Sequence, residues 1–173
     1  MSNSPIHWHE GLFLRPQHFQ FLDRQINDKI SYERNISWAY SYGVIESKLS
    51  YDDLENFQVR FDKLEAIMPS GAMISYPINA DVPSLDIRDA FASNPKGFTV
   101  YLALPNWLPS RSNVIEDIGG DVRSRTRFIV AKETVDVADE NTGLDPQPVQ
   151  LRRFNALLLL EDDDFSDMER IPL

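Results

Sequence analysis

The sequence predicts a mainly β fold, an antiparallel β-sandwich with one N-terminal helix at about residues 17–32. Two observations carry this reading. Beyond that helix the apolar residues recur with period two, through about seven to nine short runs bounded by Pro, Gly, Asp and Asn. The runs are joined by polar loops with no helical pattern of the length a parallel βαβ crossover needs. A chain of 173 residues suits one domain and buries roughly 70% of its unfolded surface without staples. The organisation expected is an irregular lead-in over 1–16 followed by helix and sandwich over 17–173.

The lead-in carries Pro5 and Pro16 and several large apolar residues. Pro16 suits the first position of a helix, where its missing N–H costs nothing. Phe19, Leu22, Ile26 and Ile30 then follow at spacings of three, four and four, one stripe on a helix of about four turns. Arg24 and Asp28, one turn apart, are expected to pair on its outer side.

Trp38, Tyr40, Tyr42 and Val44 alternate with smaller residues, as do Phe57, Val59 and Phe61, and both stretches read as half-buried strands. Residues 50–56 between them read as a turn or short helical turn. Leu64–Met68 and Ala72–Tyr76 flank Pro69-Ser70-Gly71, a hairpin connection. Residues 77–97 read as a surface loop with a helical turn near Leu85–Ile87. Phe98–Leu104 is a continuous apolar run suited to a central strand that Pro105 stops. A loop ending in Gly119-Gly120 leads to long strands at Val122–Val137 and Val149–Leu160, with a polar loop between them. An acidic turn at 161–164 precedes a last short strand from Met168.

Composition narrows the chemistry. There is no cysteine, which excludes disulfides and thiolate metal sites and fits a reducing compartment. The N-terminus lacks the basic and apolar regions of a secretory signal, and no apolar run approaches the roughly 18–20 residues that span a bilayer. A cytoplasmic location and no direct membrane insertion are therefore expected. The formal charge of −10 argues against nucleic-acid binding, which needs a concentrated basic face.

Four groups of residues bear on chemistry. His7, His9 and His18 are the only histidines, and a His-rich metal site would have to be built there, but His-x-His with no fixed spacing to a third ligand is a weak signal and packing and hydrogen bonding are the expected roles. The aspartates lie mostly in turns, where Asp bonds nearby backbone N–H groups. Arg123, Arg125 and Arg127, at spacing two, form a basic ridge that either grips an acidic partner or meets acidic residues on adjacent strands. Trp38, Tyr40 and Tyr42 are either core or an exposed row able to stack on sugars, so a carbohydrate-binding β-sandwich is the alternative function. There is no Gly-x-Ser-x-Gly elbow, phosphate loop or dinucleotide fingerprint. No enzyme, cofactor or metal is expected.

The stretch Trp8-His9-Glu10-Gly11-Leu12-Phe13-Leu14-Arg15-Pro16-Gln17-His18-Phe19-Gln20 closely resembles the opening of TssK proteins, where a W-x-E-G-[LM]-x-L-x-P-Q-H-F-Q run precedes the first helix. Phe61–Gly71, Phe98–Pro105, Arg152–Leu160 and Glu169–Leu173 resemble later strands of that family in order, so the likeness covers nearly the whole chain. The resemblance implies a structural adaptor of the type VI secretion baseplate, with a shoulder like that of phage receptor-binding proteins. It implies a shoulder that joins the TssF–TssG wedge, and a neck and head, absent here, that carry contact with the TssJ–TssL–TssM membrane complex. It also implies self-association, since the family assembles as trimers, and a location at the inner-membrane-docked apparatus. Large apolar residues in a short irregular segment must be buried somewhere, under the helix or against a partner. Ile6, Trp8, Phe13, Leu14 and Arg15 are accordingly the candidate partner interface, because aromatics and Arg dominate interface energy.

Overall fold

The computed structural model describes residues 4–116 and 125–173. Helix α1 (Pro16–Ser37) begins where the sequence places it. The Arg15 backbone N–H donates to His18 Nδ1 at 3.0 Å, and the His18 N–H donates to the Arg15 carbonyl at 3.0 Å, a reciprocal pair that occupies orphan groups of the first turn. The helix runs five residues past the expected end at 32. Arg34 takes the stripe position after Ile30, so apolar periodicity carried no signal there. The last turn is closed by the Trp38 N–H on the Arg34 carbonyl at 2.9 Å and by the Arg34 guanidinium on the Ser41 carbonyl at 2.8 Å.

The helix lies on the body with its apolar stripe outward. None of its residues is buried, and Phe19, Leu22, Ile26 and Ile30 are all exposed. Its half-buried side includes Phe21, Arg24, Ser31 and Arg34. Arg24 stacks its guanidinium 4.1 Å from the Trp107 ring, so it faces inward instead of pairing with Asp28 on the outside. Asp23 meets Arg152 at 2.8 Å.

The body begins with β1 (Gly43–Leu49), α2 (Tyr51–Glu55), β2 (Gln58–Val59), β3 (Phe61–Ile67) and β4 (Met73–Tyr76). Residues 38–42, expected as strand, lie outside β1, and Trp38, Tyr40 and Tyr42 are exposed. The 69–71 turn joins β3 and β4 as expected, with Gly71 at φ 85°. A Cβ at Gly71 would sit 2.9 Å from Ser31 Oγ and 3.0 Å from Ser31 Cβ, besides occupying a backbone region that L-residues avoid. Gly71→Ala is therefore expected to cost about 1–2 kcal/mol from the backbone alone and to push α1 away from the turn, read as a lower urea midpoint.

Next come β5 (Ala80–Asp81), β6 (Leu85–Asp86), α3 (Arg88–Ser93), β7 (Val100–Pro105) and β8 (Val114–Ile115). The helical turn expected at Leu85–Ile87 falls slightly later, as α3, and Pro105 ends β7 from inside the strand. The chain closes with β9 (Phe128–Val137), β10 (Gln147–Asn155), β11 (Leu157–Leu160) and β12 (Met168–Pro172). The run expected as one strand over Val149–Leu160 is two strands in different sheets. At the break the Asn155 N–H bonds the Arg127 carbonyl and the Ala156 N–H bonds the Asp81 carbonyl. A continuous apolar run gives no sign of such a switch. Gly119-Gly120 and the start of the expected 122–137 strand lie outside the described residues.

Two antiparallel sheets, β1-β3-β4 and β11-β7-β12, supply the sandwich. Phe61, Leu64, Ala66 and Ile74 from the first share one core with Leu102, Leu104, Leu158 and Ile171 from the second. A further sheet has the order β5-β10-β9-β8, in which both outer strands pair in parallel for two residues only. Phe154 and Asn155 meet β5, and Phe128 and Ile129 meet β8. Beyond that base β9 and β10 pair only with each other among the described residues, as a two-stranded ribbon.

Candidate partner interface

The lead-in folds back along α1. Gln25 Nε2 donates to the Ser4 carbonyl at 2.6 Å, and the Trp8 and His18 rings lie 6.3 Å apart. A turn with the Leu12 N–H on the His9 carbonyl and Gly11 at φ 81° reverses the chain between them. This divides the candidate residues. Ile6 is half-buried, Trp8 is 49% exposed, Phe13 is 77% exposed, and Leu14 and Arg15 are exposed. Arg15 leans over the Phe13 ring at 5.9 Å. The outward edge of the lead-in thus presents Phe13, Leu14 and Arg15 together, next to the outward stripe of α1.

The histidines are placed by local structure. His18 Nδ1 accepts from the Arg15 backbone, His9 Nδ1 lies 2.9 Å from the Glu10 carbonyl, and the His7 and His9 rings stand 5.5 Å apart. Among the described residues no group of three or more His, Asp or Glu side chains is arranged to hold a metal.

The arginine ridge is resolved in favour of internal partners for two of its members, while Arg123 lies outside the described residues. Arg125 and Arg127 precede β9 instead of lying on one strand face. Arg127 is buried, meets Glu169 at 3.0 Å, donates to the Pro105 carbonyl at 2.8 Å and to Ser70 Oγ at 3.0 Å. Glu169 also accepts from the Ser70 N–H and hydroxyl, both at 2.7 Å. This ties the β3–β4 turn to β7 and β12.

Arg125 binds Asp164 at 2.6 Å. Hydrogen bonds from the Ser166 side chain and backbone, then from Arg125, hold the Asp164 carboxyl at about 2, below its ordinary 3.8. A lowered folded-state pKa adds stability that is present above the unfolded value and lost as pH falls through the folded one. Wild type should therefore lose part of its thermal stability between about pH 4 and pH 2, and Asp164→Asn should show a smaller loss over that window in melts recorded at each pH.

The aromatic row is surface, not core. Trp38 is 69% and Tyr40 83% exposed. With Arg34, Tyr42, Val44, Ile45 and Ile67 they line an open cleft of about 310 Å³. Arg34 is engaged by the Ser41 carbonyl and Ser41 Oγ by Asn35.

Sequence reasoning missed one surface, the β9–β10 ribbon, in which every residue over 132–152 is exposed. Its signal is legible as apolar residues at alternate positions, Val135 and Val137 and then Val149 and Leu151, but alternation alone does not say whether the apolar face meets the core or water.

Fold and surface together define a β-sandwich with large apolar side chains carried outward on a lead-in, a helix and a ribbon. The chain belongs to the bacterial type VI secretion family described as VC_A0110, EvfL, ImpJ and VasE, whose model matches residues 18–173. A curated relative, the type VI secretion system baseplate component TssK1 of Pseudomonas aeruginosa PAO1, is 26% identical over 167 residues, covering 95% of this chain and 36% of its own length. A chain in the cryo-electron microscopy structure of a TssK–TssF–TssG baseplate subcomplex superposes with a TM-score of 0.81 at 21% identity, over 99% of this chain and 55% of that one. A crystal structure of TssK superposes with a TM-score of 0.80 at 24% identity, over 99% of this chain and 38% of that one. The mainly β fold with its N-terminal helix is thus the fold of TssK structures, and the chain spans about a third to a half of the length of these relatives. Among the described residues no helix is long and apolar enough to cross a membrane.

Proposed function

We propose that this chain is the wedge-facing shoulder of a type VI secretion baseplate adaptor. It acts by docking and not by catalysis, at the cytoplasmic side of the inner-membrane-docked apparatus. The observation that carries this reading is the outward edge of the lead-in, where Phe13, Leu14 and Arg15 stand exposed beside the outward stripe of α1. A folded domain gains nothing from presenting such a surface to water, and patches of this kind mark interaction sites. The partners proposed are TssF and TssG, together with further copies of the chain. Contact with TssL and TssM falls to the neck and head of the longer relatives. Membership of the type VI secretion family and the fold shared with TssK support this assignment. The test is co-purification of the chain with a TssF–TssG assembly. Retention on the assembly supports the reading, and no association under conditions in which a full-length relative binds overturns it.

The exposed Trp38, Tyr40 and Tyr42 row supports a second reading, carbohydrate binding. Against it, the Arg34 guanidinium and the Ser41 hydroxyl of that cleft are already engaged within the chain and offer little to read sugar hydroxyls. A glycan array settles the choice.

A further inference from the structure

The β9–β10 ribbon is a two-faced arm. Past its base no other strand borders it among the described residues. At roughly 3.4 Å per residue, the stretch from 132 to 137 carries its tip about 20 Å from the base. Val135 stands opposite Val149 and Val137 opposite Gln147, so these four share a face, and Leu151 joins it by alternation. Thr134, Asp136, Pro148 and Gln150 occupy the other face. The tip is folded: Asp139 accepts from the Asn141 and Thr142 N–H groups at 2.7 and 3.2 Å, and the Gly143 N–H donates to the Asp139 carbonyl at 2.7 Å. The base is pinned as well, with Arg152 stacked 4.2 Å over Phe128 and paired with Asp23.

An isolated two-stranded ribbon is marginal in water, and here its β-branched face stays exposed, with no cover among the described residues. Charge selects what covers it. Between Glu133 and Leu151 stand Glu133, Asp136, Asp139, Glu140 and Asp145, and no lysine or arginine. Counted from Lys132 to Arg152 the arm carries a net charge of −3, with its two basic residues at the base and only acidic ones beyond, and the remainder of the chain is acidic too. A second copy would bring like charge to the rim of this contact, whereas a surface edged with lysine and arginine is drawn to it.

We infer that the β9–β10 arm is a docking element, separate from the lead-in, whose Val135–Val137–Val149–Leu151 face lies on an apolar strip edged with lysine and arginine on another protein of the baseplate. This rests on the reading of the chain as a baseplate adaptor. The arm works as a β-ribbon clamp: the apolar face supplies residence time and the carboxylates supply orientation and attraction.

The experiment measures binding of the chain to a purified TssF–TssG assembly at low and at physiological salt. Three proteins are compared: wild type, Val135→Ser with Val149→Ser, and the isosteric neutral set Glu133→Gln, Asp136→Asn, Glu140→Gln and Asp145→Asn, which spares the Asp139 turn. Both variants lie outside the core, so thermal melts matching wild type confirm the body is intact. The expected result is a loss of tenfold or more for the valine variant, and a weaker, flatter salt dependence for the neutral set. If wild type binds and both arm variants bind equally well with the same salt dependence, the arm inference is overturned and the adaptor reading stands. If the arm variants change only the chain's own association state in sedimentation, the occupant is a second copy and the inference is overturned on that point. If wild type does not bind the assembly, the adaptor reading fails and takes the arm inference with it.

Discussion

Replacing Glu169 with alanine is expected to destabilise the chain by about 3–5 kcal/mol, because it strands the Arg127 guanidinium in the interior. The side chains of this pair are 9% and 8% exposed, so water cannot take the place of the lost carboxylate. Glu169 also accepts from the Ser70 N–H and hydroxyl, but Ser70 is exposed and water can take those donors, so the cost falls on the buried Arg127. For a domain of this size such a loss lowers the melting temperature by on the order of 10 °C. The double change Arg127→Met with Glu169→Leu is expected to be much milder, since it removes both charges and leaves packed apolar volume. Melts of the single and double variants test the point. A single variant that melts within about 2 °C of wild type would show that the buried pair carries no net weight.

The second large effect is on binding. Trp8→Ala with Phe13→Ala is expected to weaken association with a TssF–TssG assembly by about 10- to 100-fold, or about 1.4–2.7 kcal/mol, the range in which aromatic anchors fall. Both side chains are at least half exposed or close to it, so the fold should persist and its melt should match wild type. Ile6→Ala is the contrast. That residue is half-buried, so its loss should act more on stability than on affinity. Unchanged affinity in the Trp8 and Phe13 variant would remove the lead-in from the interface.

Local signals read true wherever the physics was local. Pro16 and the spacing of Phe19 to Ile30 set the start and the existence of α1. Pro69-Ser70-Gly71 set the β3–β4 turn, because only a residue such as Gly71 adopts φ 85° without strain. The apolar run of β7 announced a central strand, and β7 is flanked by β11 and β12. The opening motif from Trp8 to Gln20 carried the family resemblance, and the family match extends over 18–173.

What periodicity could not reveal is which side of an element meets protein and which meets water. A stripe of Phe and Ile on α1 looks the same whether it faces the core or a partner, and here Arg24 on Trp107 and Asp23 on Arg152 turn it outward. The same ambiguity hid the exposure of Trp38 and Tyr40 and of the β9–β10 arm. It also hid the partners of Arg125 and Arg127, which come from residues about forty positions away in the chain. The sequence by itself determined a β-rich chain with one amphipathic helix and a recognisable opening motif, because those depend on neighbours a few residues apart. Only the tertiary structure decided that the apolar faces of helix, lead-in and arm point away from the core, because that choice is made by long-range contacts that no local pattern encodes.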